Sequence, residues 1–224
     1  MPVWQQLYSE LKDRNFTVIA VAMDSRDGAA KPWIDAAKPE YPVPVDREHR
    51  LADLYNMVNV PQAVWIDEQG RVVRPVESAG AYEGFRSLDL ATGKLPDDIA
   101  ARTAAAKRTY VEAIRDWVLN GTSSAHAFDR GTARAHVSVP TAEIAEAHAR
   151  FRLGQILLER GREAEARAQF ERARELHPES WNIWRQTEPP DSRGLAAGPA
   201  FWARVQGLGK RRYYAPVDMK GMPE

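Results

Sequence analysis

Val60-Pro61-Gln62-Ala63-Val64-Trp65-Ile66-Asp67-Glu68-Gln69-Gly70-Arg71-Val72-Val73 is the stretch on which the fold turns. Val60-Pro61 reads as a turn into a strand, since proline offers no backbone donor and sits at strand starts and edges. Ala63 to Ile66 has strand length and apolar character, Glu68-Gln69-Gly70 is a tight turn, and Arg71-Val72-Val73 returns. Upstream, Phe16-Thr17-Val18-Ile19-Ala20-Val21-Ala22-Met23 is a nearly unbroken apolar and β-branched run, which predicts a strand buried on both faces. Asp24-Ser25-Arg26-Asp27-Gly28 breaks it. A short helical piece follows around Trp33 and Ile34, then an extended Tyr41-Pro42-Val43-Pro44-Val45-Asp46, then a brief helix marked by Leu51, Leu54 and Tyr55. At the start, Val3, Trp4, Leu7, Tyr8 and Leu11 recur at helical spacing. Residues 1–88 thus read as an α/β unit that closes with a hairpin.

From about Leu95 the composition turns to Ala, Arg and Glu with a period near 3.6. Pro96-Asp97-Asp98 opens a helix, Ile99, Thr103, Ala106, Tyr110, Ile114 and Trp117 form its stripe, and Asn120-Gly121 stops it. Residues 121–139 read as loop or short helix. Helices are predicted from Thr141 to Arg160 and from Arg162 to His177, parted by Gly161 and closed by Pro178. The helical region spans 95–187, and 188–224 reads as an extended tail that packs over the domain or frays.

The chain has 224 residues, 44% of them apolar and 28% charged, the balance of a globular protein. Lys+Arg and Asp+Glu are both 31, so no overall positive field would attract nucleic acid, and none is expected as a partner. Lys210-Arg211-Arg212 beside Tyr213-Tyr214 reads as solvated tail. With no apolar run of membrane length and a mean hydropathy of −0.51, no membrane span is expected, and Met1 to Leu7 shows no basic region followed by an apolar one. Cys 0 removes disulfides, a thiolate nucleophile and thiolate metal ligands from this sequence. His49, His126, His136, His148 and His177 lack paired ligand spacing and read as surface or cap residues, so neither metal nor cofactor is expected. No glycine-rich phosphate loop or Gly-x-Ser-x-Gly elbow occurs. Asn15-Phe16-Thr17 runs into a strand and Asn120-Gly121-Thr122 is a helix stop, so both match glycosylation acceptors by accident.

Residues 147–180 resemble one tetratricopeptide repeat (TPR). Leu153-Gly154, Leu157, Ala166, Phe170, Ala173 and Pro178 fall at its signature positions, while Arg150 departs from the usual Trp. One repeat cannot bury its own faces, so the 97–120 helix and Trp181-Asn182-Ile183-Trp184 are predicted to flank it. The resemblance implies a protein or peptide partner; the other reading is a packing hairpin with no recognition role.

Residues 1–88 resemble the TlpA/ResA-like thioredoxin-fold redoxins, thiol-disulfide oxidoreductases related to peroxiredoxins. The matching stretches are Met1-Pro2 and its helix, Val18 to Val21 closing at Asp24, Tyr41 to Asp46, Leu51-Ala52-Asp53-Leu54-Tyr55, and Val60 through Val73. The resemblance implies a cis-proline at Pro61, exposed to solvent, with the Val60 backbone pairing with a substrate chain as an added strand. It implies a Cys-x-x-Cys pair at a helix N-terminus just before Met1-Pro2, preceded by the central strand of the sheet. The expectation is therefore an α/β thioredoxin-like domain with its central strand missing, truncated before the redox motif and followed by the α-helical, TPR-containing region. A ResA-like selenoprotein variant, whose selenocysteine codon is read as a stop, would account for this; a misplaced start or a shortened gene would too. Asp24 and Ser25 lie where the family places a proton-transfer residue, although a carboxylate there serves equally as a turn cap. The complete form is expected to be a thiol- or selenol-dependent oxidoreductase acting on a protein disulfide or dithiol partner, in a periplasmic or extracytoplasmic setting. The alternative is a non-catalytic protein-binding module that uses the cis-proline groove and the TPR hairpin.

Overall fold

Helical spacing of apolar residues produces α1 (Pro2–Leu11), which buries Leu7 and Leu11. A 3-10 turn follows, and Asn15 takes a left-handed φ of 58°, a conformation asparagine tolerates. The structure, a computed structural model, describes residues 2–192 and 194–223.

Residues 16–23 depart from the expected strand. Ala20 N–H donates to Pro42 O (3.1 Å), Ala22 N–H to Pro44 O (3.0 Å), and Asp46 N–H returns to Ala22 O (2.8 Å), so the two segments run parallel and meet in a single bridge, Ala22 with Val45. The return bond to Ala20 O would have to come from the amide of residue 44, and residue 44 is a proline. The ladder therefore stops after one rung. Nor is the run buried on both faces, since Ile19 is 63% exposed.

The short helical piece is α2 (Lys31–Ala37), with Pro32 in its first turn, and the next is α3 (Arg50–Tyr55), whose first amides, Arg50 and Leu51, donate to the Asp46 carboxylate (3.0 and 2.7 Å). The hairpin forms as β1 (Gln62–Ile66) antiparallel to β2 (Val72–Ser78). At its turn the Asp67 carboxylate accepts the Gln69 and Arg71 amides while Gly70 supplies φ 74°. β2 is longer than expected and its register slips between Trp65↔Arg74 and Ala63↔Glu77, where Pro75 has no N–H to pair.

The helical region contains α4 (Asp97–Asn120), α5 (Arg130–Ala135), α6 (Ala142–Glu159), α7 (Glu163–Leu176) and α8 (Trp181–Thr187). Side-chain caps start three of them: Asp129, Thr141 and Ser180 accept the amides of Thr132, Ile144 and Ile183. Where an extended tail is expected, residues 199–206 form α9 (Pro199–Gln206) and bury Phe201 and Val205; Leu208, Tyr213 and Met219 beyond it are buried too. Apolar residues spaced for one helix face, with Pro199 at the start, explain the difference.

These elements fall into two compact units. One comprises Met1–Tyr8, Thr17–Val60 and Ser138–Gly198. Its core is the α6–α7 hairpin, where Ala147, Phe151, Ala173 and Ile183 cluster and Phe170 and Leu176 pack against them. Gly154 permits the close approach, since a Cβ there would run into the Phe170 ring. The other comprises Ser9–Phe16, Pro61–Val137 and Pro199–Glu224. In it the Trp65 ring stacks on Trp117 (5.1 Å) and donates its N–H to Tyr110 Oη (2.8 Å). Arg74, 1% exposed, pairs through two nitrogens with Glu77, donates to the His126 and Asp218 carbonyls and lies 4.2 Å over Phe128. Phe85, Phe201, Tyr213 and Tyr214 make a further aromatic group in this unit.

Candidate functional site

Residues 24–28 turn sharply after the apolar run because Asp24 organises them. Its carboxylate accepts the Arg26 backbone amide (3.1 Å) and both Nε (3.0 Å) and a terminal nitrogen (3.2 Å) of the Arg26 guanidinium. Both oxygens are thereby engaged within the turn. Ser25 is held from two sides by helices of the same unit: its N–H donates to Gln186 Oε1 on α8 (2.9 Å), and its hydroxyl accepts from Gln155 Nε2 on α6 (2.6 Å). The same Gln155 nitrogen also donates to the Arg47 carbonyl (3.0 Å).

The segment that leads to Val60 is held in the same manner. The Val58 carbonyl accepts the amides of Trp181 (2.7 Å) and Asn182 (3.1 Å), and Asn182 Nδ2 donates to the Met57 carbonyl (2.8 Å). Asn182 and Asn59 are both buried. Val60 donates its N–H to Asn59 Oδ1 (2.9 Å) and is itself 37% exposed; Pro61 is exposed too. Val60 ends its unit, and the Pro61 carbonyl accepts the Ala79 amide beside the hairpin.

His49 is not the surface residue the sequence implies. It is buried, with φ 56°, its ring edge-on to Phe151 (5.2 Å), and neither ring nitrogen has a partner in bonding geometry. Burial pushes it down to about 4, against the opposing pull of the Asp46 and Asp24 carboxylates. His177, at the end of α7, is buried and likewise pushed down to about 4, and His148 on α6 is lowered by burial and lies 5.9 Å from it. Among the described residues no group of three or more His, Cys, Asp or Glu is placed to hold a metal ion.

Of the TPR signature residues, Gly154, Leu157, Ala166 and Ala173 are buried and Phe170 fills the gap at Gly154. Leu153 is 43% exposed and Pro178 is exposed beyond the end of α7. Gln155, Asn182 and Gln186 were not anticipated. Gln155 had one legible signal: it continues the buried Ala147, Phe151 stripe at four-residue spacing, where a polar side chain demands a partner.

Residues 1–74 match the AhpC/TSA family. This redoxin segment ends within the hairpin, just past Val60-Pro61, and residues 147–187 match the tetratricopeptide repeat. The chain is 30% identical over 97 residues to the thiol-disulfide oxidoreductase ResA of Oceanobacillus iheyensis, covering 43% of this chain and 47% of that protein. It is 26% identical over 83 residues to ResA of Bacillus thuringiensis subsp. konkukian, covering 37% and 48%. The chain thus spans about half the length of the curated relatives it matches. No solved structure matches it. The redoxin match takes in β1 and the start of β2 of the two-stranded sheet, and the TPR match lies in the helical region, the two parts the sequence leads one to expect. No helix among the described residues is long and apolar enough to cross a membrane.

Proposed function

We propose that this chain supplies the substrate-side portion of a thioredoxin-like thiol-disulfide oxidoreductase. The observation that carries the reading is the match of residues 1–74 to a redoxin family, running through the exposed Val60-Pro61 lead-in to β1. Val60 and Pro61 would lie along an extended substrate chain, with the Val60 N–H held by Asn59 Oδ1 and Pro61 withholding an amide. In the reaction, a thiolate or selenolate attacks one sulfur of a substrate disulfide, forms a mixed bond and expels the other sulfur as thiolate; the second group of the redox pair then attacks the mixed bond and releases the reduced substrate. That pair is not among these 224 residues, which include no cysteine. Asp24 and Ser25 stand as neighbours for proton movement. With its carboxylate engaged by Arg26, Asp24 also serves to shape the turn.

The test has two arms. Purified protein of these 224 residues should show no turnover of a disulfide substrate, and the product of the genomic reading frame that includes codons upstream of Met1, with two redox positions separated by two residues, should show it. Turnover by the 224-residue protein, or an upstream sequence without such a pair, counts against the reading. The lack of cysteine favours a second reading, a protein-binding module without redox chemistry. It would show saturable binding of an unfolded polypeptide by the 224-residue protein and no exchange in any longer form.

A further inference from the structure

The tetratricopeptide match invites the expectation that the polar side chains of α6 and α8 face an outside partner. Three of them are spent within the unit instead. Gln155 is buried and divides its amide nitrogen between the Ser25 hydroxyl (2.6 Å) and the Arg47 carbonyl (3.0 Å). Gln186 accepts the Ser25 amide (2.9 Å). Asn182, also buried, donates to the Met57 carbonyl (2.8 Å), and the backbone amides at 181 and 182 close on the Val58 carbonyl. Residues 22–28 and 57–60 belong to no β-ladder beyond the single Ala22–Val45 bridge, so strand pairing does not hold them. A loop without ladder bonds keeps one conformation only if its polar groups find partners elsewhere, and here these partners are side chains of α6 and α8 and the first amides of α8, on helices that contribute Phe151 and Ile183 to the core cluster.

We infer that Gln155, Asn182 and Gln186 are positioning residues, and that α6 and α8 brace the two segments that carry Ser25 and Val60. Each contact has a defined sense. Gln186 must accept, so a carboxylate can replace its amide. Asn182 must donate to a carbonyl, so a carboxylate cannot. Side chains that merely filled space would tolerate the two isosteric changes alike. The inference rests on the proposed function only in naming Val60 as the substrate segment.

The experiment uses the 224-residue protein with Gln186→Ala, Gln186→Glu, Asn182→Ala and Asn182→Asp, and reads two things at pH 7. The first is amide hydrogen exchange at Ser25 and at Trp181, with the α7 amides as a check that the hairpin is folded. The second is binding of a reduced, carboxymethylated polypeptide as probe. Expected is an increase of about tenfold in Ser25 exchange for Gln186→Ala, the ratio given by one lost hydrogen bond, with most of the protection retained in Gln186→Glu. Asn182→Asp should raise Trp181 exchange at least as much as Asn182→Ala, and both should weaken probe binding. Equal Ser25 exchange in Gln186→Ala and Gln186→Glu, or protected Trp181 in Asn182→Asp, overturns the brace. If the unsubstituted chain binds no probe, the substrate role of Val60 fails, while the exchange pattern still decides the brace.

Discussion

Two stretches of this chain have similar apolar content and end differently. Gln62–Ile66 and Val72–Ser78 form a hairpin with four paired positions, whereas residues 20–22 and 42–46 share one bridge and leave Ile19 largely in solvent. Both contain proline. In β2, Pro75 falls at a register slip, where the missing amide interrupts no required bond. In the parallel pair, Pro44 occupies the position whose amide would answer Ala20 O, and the ladder ends there. The hairpin also has side chains that lock it, Trp65 on Tyr110 and Trp117 and Arg74 in its cage, while three backbone bonds join the two parallel segments. Apolar content, then, recruits a segment to an interior; backbone donors at the right alternate positions decide whether it becomes a sheet.

The largest way to break the contrast is at Arg74. Arg74→Ala leaves the half-buried Glu77 carboxylate and two carbonyls without their cation, and truncating one partner of a buried pair costs about 3–5 kcal/mol. Urea unfolding followed by tryptophan emission should show a loss of that size; a change below about 1 kcal/mol would mean the cage contributes no lock.

Acid should act on the other unit. His49 and His177 are held below their usual 6.5, at about 4, by burial, so the fold prefers them neutral. Their contribution is complete above pH 6.5, declines as pH falls from 6.5 towards 4 and changes no further below that. For His49, the more deeply buried of the two, the drop corresponds to roughly 3 kcal/mol. Amide exchange at pH 4.5 against pH 7 should loosen α6, α7 and the 49–58 segment before β1 and β2, and His49→Phe should reduce the pH sensitivity. Equal loosening of hairpin and helices would contradict the assignment.

A smaller effect is expected from Tyr110→Phe. The Trp65 indole N–H loses its acceptor in a buried setting, which costs about 1–3 kcal/mol, while the ring contact survives. Smallest is Pro44→Ala. It restores an amide opposite Ala20 O, and that amide should be protected from exchange, with stability changing by no more than about 1 kcal/mol. A fully exposed amide at position 44 would show that proline is not what ends the ladder.

Much of the architecture was legible because its signals are local. Asp67 to Gly70 between two β-rich runs specifies a hairpin, Pro96-Asp97-Asp98 opens α4, and the small and large residues from Ala147 to Ala173 specify a close-packed helical pair through Gly154 and Phe170. The α9 helix was not read: its short run, with Phe201 and Val205 on the buried face, sits in a Pro- and Gly-rich stretch that reads as tail. The candidate site was half legible. Ser25 and Val60 enter as candidates through resemblance, whereas Gln155, Asn182 and Gln186 do not, because hydrogen bonds between residues more than 100 positions apart leave no periodic trace.

By itself, the sequence determined the long helices α4, α6 and α7, where the hairpin turns, that no cysteine chemistry resides in these residues, and which two families they resemble, all properties of neighbouring residues or of residue types. Tertiary structure alone decided that residues 17–60 and 138–198 share one compact unit, that His49 is buried with both nitrogens unpaired, and that the glutamines of a helical repeat end on the loop at Ser25. The physical reason is that burial and the pairing of polar groups depend on which distant surface arrives, and a buried donor accepts whichever partner the packing brings within about 3 Å.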